Sequence, residues 1–518
     1  MNYPRNVPAM NLVNMGLDCR ICSRARLSRD ARFDGKFFVG VLTTGIYCRP
    51  ICRSPTAQEK NVRYFATAAE AAAAGLRPCL RCRPECAPGT PAWMGTRTTV
   101  ARALRLIGES GLEEGGIEAL ASRLGVGSRH LRRLFLKHLG ATPKAVADTR
   151  RLHFAKKLID ETNLPMTQVA LASGFGCVRR FNAGIRNVYG RTPSQIRQLS
   201  RQTVPKQENR YVFRLRYRPP YNWKGMLEFL AARAVPGVEV VAKDTYRRSI
   251  EMNGAAGHFE ASQDEADSSL IVRLQFGEPR SLFMIIERIR ALFDLNADWT
   301  AIVTTLKADR ALIGSVEANP GLRVPGCWSG FELTVRAILE HQTTLEESVS
   351  WTASLVHAFG QLLDAEEGLT HLFPSPEVLA DANLKRLGLP LERANTIRSL
   401  AQAVIQEEIR FQGVVDTDAL LTRLRRLPGF SEWITQYVAM RAFGEPDALP
   451  SSDLALQRAL ELPSARELER RAEGWRPWRA YAVMYLWEPA FGKYSRPRRG
   501  ARSATSDALW HEGALANS

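Results

Sequence analysis

Four cysteines constrain this chain more than any other residues in it. Cys48 and Cys52 form a Cys-x3-Cys pair, and after a gap of 26 residues Cys79 and Cys82 form a Cys-x2-Cys pair. Two close pairs on separate turns are what a tetrahedral Zn2+ site needs, and soft thiolates suit that metal. Disulfides are the competing use of such pairs. The first 15 residues carry no apolar run followed by a small-residue cleavage site, so a reducing, cytoplasmic setting and a zinc site are expected. Taken bare, a four-cysteine site more often serves folding than chemistry. Cys19, Cys22 and Cys86 lack a matching second half and read as ordinary thiols.

The flanking residues shift that balance. Cys48 sits in Thr43-Thr44-Gly45-Ile46-Tyr47-Cys48-Arg49-Pro50, and the second pair in Arg77-Pro78-Cys79-Leu80-Arg81-Cys82. Arg49 and Arg53 beside Cys48 suggest a surface that faces an anion. The segment resembles the N-terminal domain of the Ada adaptive-response family. The resemblance implies that Cys48 accepts a methyl group from a DNA methylphosphotriester, irreversibly, with Cys52, Cys79 and Cys82 as the remaining zinc ligands. It also implies DNA contacts from Thr44, Arg49 and Arg53. One departure stands out: the family's Cys-Arg-Ala-Arg run is Cys52-Arg53-Ser54-Pro55, so one phosphate-contacting arginine is missing.

At 518 residues, three or four domains are expected. Charge is unevenly spread. Residues 1–200 hold 32 Lys and Arg against 13 Asp and Glu, whereas the rest holds 39 against 40. The whole basic excess lies in the first two fifths, as a phosphate-contacting half requires. No run of 18 apolar residues occurs, so no membrane span is expected.

Residues 97–198 show only helical periodicity broken by Gly-containing turns. Ile117 to Phe135 has apolar positions three and four apart, a Gly125 turn, and a second helix expected to open on Ser128 as N-cap. Met166 to Asn182 forms a second copy, followed by Tyr189-Gly190-Arg191-Thr192-Pro193. The pair resembles the AraC-type transcription-factor domain. It implies two units in successive major grooves, with Ser128, Arg129, His130, Arg132, Arg179 and Arg180 as DNA contacts. A bundle with incidental arginines is the plainer reading.

Periodicity lapses at 201–208, where a linker is expected. Beyond it, Tyr211 to Trp223 and the alternating Ser269–Phe276 read as strand-rich, and 227–234 and 282–295 as helices. An all-helical block follows from about 300 to 490. Inside it lie Leu427-Pro428-Gly429-Phe430-Ser431-Glu432-Trp433 and, twenty residues past Trp433, Asp453 within Leu449-Pro450-Ser451-Ser452-Asp453. These runs, with Trp475 to Tyr481 and Trp487, resemble the helix-hairpin-helix 3-methyladenine DNA glycosylase II (AlkA-like) family over about 211–490. The resemblance implies hydrolytic excision of alkylated purines, with Asp453 stabilising the sugar cation. Gly429 and Ser431 would meet a phosphate, and Trp433, Tyr437 and Trp487 would line the base pocket. Gln342 would be the wedge that replaces the flipped base, and His341 stands where the family has glutamine. Trp433 at the position of a Schiff-base lysine implies a monofunctional enzyme. For Asp453 alone, a helix N-cap is the plainer reading, because Ser-Ser-Asp before an apolar run is a capping sequence. Ser431 in place of the hairpin's second glycine is expected to strain a left-handed turn. The Pro-to-Asp spacing is one residue longer than the pattern, leaving Ser452 as a competing register.

The expected class is therefore multidomain α+β. It comprises a small zinc-binding α/β domain (15–92), an all-α tandem helix-turn-helix domain (97–200), a mixed α+β module (209–298), an all-α helix-hairpin-helix glycosylase domain (299–492) and a disordered tail (493–518). Expected partners are double-stranded DNA, alkylated and promoter, and RNA polymerase, for a monomer in the cytoplasm at the nucleoid. No Pro-Cys-His-Arg motif occurs, so O6-methylguanine repair is not expected. A methyl-sensing regulator whose glycosylase half only grips DNA is the alternative left open by sequence.

Overall fold

The computed structural model describes residues 18–88, 99–110, 116–124, 126–199, 209–363, 368–411 and 417–494. The expected linker at 201–208 and nearly all of the expected tail lie outside the described residues. The protein is multidomain α+β, with a small sheet unit, a helical pair of units, a second sheet and a helical block.

The first unit begins with α1 (Cys19–Ser28), capped by Asp18, which accepts from the Ile21 amide at 2.7 Å. Four strands follow: β1 (Phe38–Val41), β2 (Ile46–Cys48), β3 (Val62–Phe65) and β4 (Arg77–Pro78), with α2 (Ala68–Ala73) between the last two. They pair in the order β3-β1-β2-β4. Successive side chains on a strand point to opposite faces, so β1 feeds two small cores. Phe38 joins Tyr47, Phe65 and Leu76, while Val39 joins Cys22, Phe37 and Tyr64.

The helical middle is α3 (Thr99–Ser110), α4 (Gly116–Arg123), α5 (Ser128–Leu139), α6 (Pro143–Glu161), α7 (Met166–Ala172), α8 (Val178–Tyr189) and α9 (Pro193–Leu199). α5 and α8 start 50 residues apart and are built alike. Each ends on a glycine in the left-handed region, Gly140 and Gly190, and the next helix then starts with a Thr-Pro step. Leu131, Phe135 and Leu139 in α5 and Phe181, Ile185 and Tyr189 in α8 face inward at helical spacing. Ser128 is the first residue of α5 rather than its cap. Gly127 takes the cap position, with no side-chain hydrogen bond.

The second sheet comprises β5 (Arg210–Arg216), β6 (Glu239–Ala242), β7 (Thr245–Met252), β8 (Ala255–Asp264) and β9 (Ser269–Phe276), all antiparallel in the order β5-β9-β8-β7-β6. Helices α10 (Trp223–Ala231) and α11 (Leu282–Leu292) accompany it. α10 starts four residues before its expected position because Asn222 accepts from the Gly225 amide and caps it there. From residue 299 onward the described residues form only helices, turns and isolated bridges. The helices are α12 (Trp299–Leu306), α13 (Arg310–Ala318), α14 (Gly330–Glu340), α15 (Leu345–Phe359), α16 (Pro376–Asp381), α17 (Leu391–Ile405), α18 (Thr417–Arg426), α19 (Glu432–Arg441), α20 (Leu454–Ala459), α21 (Ala465–Ala472) and α22 (Arg479–Tyr494).

The units share cores. Phe154 on α6 meets Phe283 on α11 at 4.8 Å between centroids, and one continuous apolar cluster runs from α6–α9 through the second sheet to α22. Ala69 of α2 joins the core of α3–α5, and Thr67 Oγ1 donates to Leu139 O at 2.8 Å.

Candidate functional site

Parallel pairing of Tyr47 with Pro78 sets β2 beside β4, so the residues that follow, Cys48 and Cys79, emerge side by side. Tight turns return the second member of each pair: the Cys52 amide donates to Arg49 O at 3.1 Å, and the Arg83 amide to Cys79 O at 3.1 Å. The four sulfurs all lie within 4.8 Å of one another. A tetrahedral ZnS4 centre with bonds of about 2.3 Å requires sulfurs about 3.8 Å apart, so this donor set fits Zn2+ with minor closure. Hydrogen bonding among the thiols drives their proton affinities apart, Cys52 down and Cys48 and Cys82 up. Zn2+ bound by these four residues would hold all of them as thiolates.

Surroundings distinguish the four. Cys79 is buried and the other three are half-buried. The Arg49 amide donates to Cys82 Sγ at 3.3 Å, which draws electron density from that sulfur. Arg53, next to Cys52, is exposed, and so is Thr44 in the turn between β1 and β2. Arg49 departs from expectation: it is 3% exposed, its guanidinium engaged by the Asp34 carboxylate and by Cys82 O at 3.1 Å. It braces the cysteine loop and does not face a phosphate. Removing one partner of a buried ion pair leaves an uncompensated charge, at about 3–5 kcal/mol. Asp34→Ala is therefore expected to lower unfolding stability by that order and to speed zinc loss, read by denaturant melts and a chromogenic chelator.

Tyr47, before Cys48, and Asp34, the partner of Arg49, both bond to residues beyond their own unit. Tyr47 is fully buried, and its hydroxyl bonds His153 Nε2 on α6 at 3.0 Å. Burial holds that imidazole down at about 4, hence neutral. Asp34, the partner of Arg49, presents its carbonyl to Arg218 Nε at 2.9 Å, and Arg218 also donates to Asn296 O at 2.7 Å. Lys36 pairs with Asp298 at 2.7 Å.

On the helix-turn-helix pair, Arg129, His130, Arg132, Arg179 and Arg180 are exposed on the faces of α5 and α8 opposite the core, and Ser128 is half-buried at the start of α5.

The second candidate site lies between α14, α19, α20 and α22. α18 and α19 form the hairpin, joined through Pro428 and Gly429. Gly429 has φ +80°, and a Cβ there would lie 2.0 Å from Thr396 Oγ1. Gly429→Ala should thus lower the melting temperature, by about 1–2 kcal/mol for the backbone alone, in a thermal melt. Ser431 carries none of the expected strain. Its φ is −88°, and it caps α19 by accepting from the Ile434 amide at 3.2 Å.

Trp433 and Tyr437, one turn apart on α19, stack at 4.8 Å with ring planes 11° apart, and Trp487 on α22 lies 6.2 Å from Tyr437. Arg441, another turn on, donates to the Tyr437 hydroxyl at 2.6 Å. Asp453 meets this cluster. Its Oδ2 accepts from Trp433 Nε1 at 2.8 Å, while its Oδ1 accepts from the Ala455 and Leu456 amides at 2.8 and 3.0 Å. The N-cap reading of Asp453 holds through one carboxylate oxygen, and the other is held by Trp433. Ser452 is exposed, and the neighbouring Ser451 is buried against Glu469. Gln342 is exposed with φ +55° at the rim. Sequence reasoning missed Asp34, Arg441 and Arg393 as supports. Only Arg441 left a trace there, four residues from Tyr437 on one helix face.

A four-cysteine metal site, a tandem helix-turn-helix pair and a helix-hairpin-helix beside an aromatic cluster in one chain define a multidomain α+β DNA-binding protein. Residues 21–85 match the metal binding domain of Ada, 120–199 a helix-turn-helix domain and 212–329 the AlkA N-terminal domain. The chain is 38% identical over 478 residues to the probable bifunctional transcriptional activator/DNA repair enzyme AlkA of Mycobacterium tuberculosis, covering 91% of this chain and 96% of that protein. It belongs to that family of bifunctional activator and repair proteins. It is also 33% identical to DNA-3-methyladenine glycosylase 2 of Escherichia coli, over 53% of this chain and 96% of that one. The bifunctional transcriptional activator/DNA repair enzyme Ada of Escherichia coli is 36% identical over 33% of this chain and 47% of its own length. Among the described residues no helix is long and apolar enough to cross a membrane.

Proposed function

We propose that this protein senses and repairs DNA alkylation by two separate reactions. The observation that carries the reading is the carboxylate of Asp453 pinned against the Trp433 indole, within a chain that also holds four converging thiols. A cationic alkylated purine meets the half-buried indoles of Trp433 and Trp487, with the buried Tyr437 ring backing Trp433. Its C1′–N bond breaks with the electron pair going to the base, which leaves neutral. The sugar cation that forms faces Asp453, whose three hydrogen bonds are already made and need no reorganisation. Water then adds to C1′ and gives up a proton. The indole of Trp433 has no free amine to attack C1′, so the product is an uncut abasic site. Gly429 and Ser431 approach the backbone phosphate, and Gln342 fills the gap left by the base.

At the metal centre, Zn2+ supplies thiolate character at neutral pH. Cys48 Sγ attacks the methyl carbon of a methylphosphotriester, the C–O bond breaks, and a phosphodiester anion departs. Cys48, Cys52, Cys79 and Cys82 as thiolates on Zn2+ would carry a net charge of −2, and methylation of Cys48 would lower it to −1 and with it the repulsion from the DNA backbone. Thr44 and Arg53 face that backbone. Ser128, Arg129, His130, Arg132, Arg179 and Arg180 then hold promoter DNA, and RNA polymerase is the partner recruited. This division of labour assigns methyl acceptance to 15–92, promoter binding to 97–200 and base excision to 209–492. It suits a monomer acting in the cytoplasm at the nucleoid.

The test is incubation of the purified, zinc-loaded chain with methylated duplex DNA. Release of 3-methyladenine or 7-methylguanine, with a methyl group appearing on the Cys48 peptide, supports both reactions. A folded protein that releases no base reduces the C-terminal half to a DNA clamp.

A further inference from the structure

His341 is a titratable side chain of the cleft that the chemistry above leaves unused. It follows α14 directly, and its backbone is fixed from both sides. Its amide donates to Ala337 O at 3.0 Å, and its carbonyl accepts from Arg393 Nη2 at 2.7 Å. Arg393 also donates to Leu339 O, and its guanidinium lies 5.0 Å from the Trp351 ring. These bonds satisfy carbonyls that a helix end otherwise leaves without partners. With φ −61° at His341 and +55° at Gln342, the half-buried imidazole packs on Trp433, centroids 5.7 Å apart and planes 35° apart. Trp433 is the same indole that Asp453 holds by its Nε1. Imidazole and catalytic carboxylate are thus neighbours of one ring.

We propose that His341 is a specificity-determining residue of the cleft: as neutral imidazole it admits a cationic alkylated purine, and as imidazolium it turns that base away. This rests on the glycosylase reading. The charged groups around it are few. Arg393 faces it from α17, Glu340 on its own helix is committed to Arg233, Glu347 on α15 accepts from Thr343, and Asp453 lies across Trp433. Burial, and after it the Arg393 charge, hold the imidazole below its ordinary range, so it is neutral at pH 7. As pH falls through that lowered value, a positive charge appears against the indole on which a positively charged base must stack. A glutamine carries no charge at any pH and cannot make this distinction.

The test is kcat/KM for release of 7-methylguanine from duplex DNA by the full chain, between about pH 5 and pH 8, for wild type, His341→Gln and His341→Lys. Wild type is expected to lose about tenfold per pH unit below the imidazole value. His341→Gln should be flat over the same range, and His341→Lys slow throughout, by about tenfold or more at neutral pH. The proposal is overturned if His341→Gln keeps the acid limb, if it is lowered equally at every pH as a packing defect would be, or if His341→Lys matches wild type. A wild type that releases base with an unchanged limb in His341→Gln sinks this inference alone. A folded wild type that releases none sinks the glycosylase reading with it.

Discussion

Asp453→Asn is expected to stop base release while leaving the protein folded and able to bind DNA. The substitution changes little in size, and asparagine caps helices about as well as aspartate, so its carbonyl can keep the bonds to the Ala455 and Leu456 amides. What it loses is the negative charge, and its amide group then meets the Trp433 N–H as donor against donor. A fixed group aimed at developing charge is worth about 10²–10³ in turnover when removed, and a full charge should lie at or beyond the upper end. The expected result is a loss of about a thousandfold or more in kcat, with melting temperature and affinity for abasic-site DNA nearly unchanged. Turnover within tenfold of wild type would mean that the carboxylate is only a helix cap.

The second large effect separates two cysteines of the same centre. Cys48→Ala should abolish methyl uptake but retain zinc, because three thiolates and a water can still complete a tetrahedron. Cys79→Ala should lose the metal and with it the first unit's fold. Cys79 is the buried ligand, and the two cores around the sheet hold only a few large side chains each, Phe37 and Tyr64 in one, Phe38, Tyr47 and Phe65 in the other. A unit that small depends on its metal, whose binding free energy in small zinc folds is about 10–16 kcal/mol. Metal content by mass spectrometry, together with near-ultraviolet circular dichroism, reads both outcomes. Methyl transfer by Cys48→Ala would move the acceptor to Cys52 or Cys82.

The features legible in the sequence were those set by local spacing. Ser269–Phe276 alternates apolar and polar side chains from Val272 onward and is a strand over those residues. The cysteine pairs bring their sulfurs together because each pair closes a short turn. The cap at Asp453 was legible because Ser-Ser-Asp precedes an apolar run, whereas the bond of its second oxygen to Trp433, twenty residues away, leaves no mark in local spacing. Arg49 misled for a related reason. An arginine beside a cysteine turn reads as solvent-facing charge, and nothing in the spacing from Asp34 announces that these two will pair in a buried position. Periodicity also shows that a helix face is covered without showing by what. The inward side of α6 reads as the core of a helical pair, yet Phe154 packs on α11 and Lys157 donates to Arg214 O at the first strand of the second sheet.

That arrangement bears on how the chain can be divided and how it fails. A cut in the connection between Leu199 and Arg210 leaves Phe154 and Phe283 facing water on separate pieces, with Arg150 parted from Glu287 and Lys157 from the carbonyl it holds. Neither fragment would keep the surface it presents in the intact molecule. Loss of packing on one side should propagate to the other, so sensor and enzyme have a common thermal lifetime, and a core substitution that weakens one also lowers the abundance of its companion.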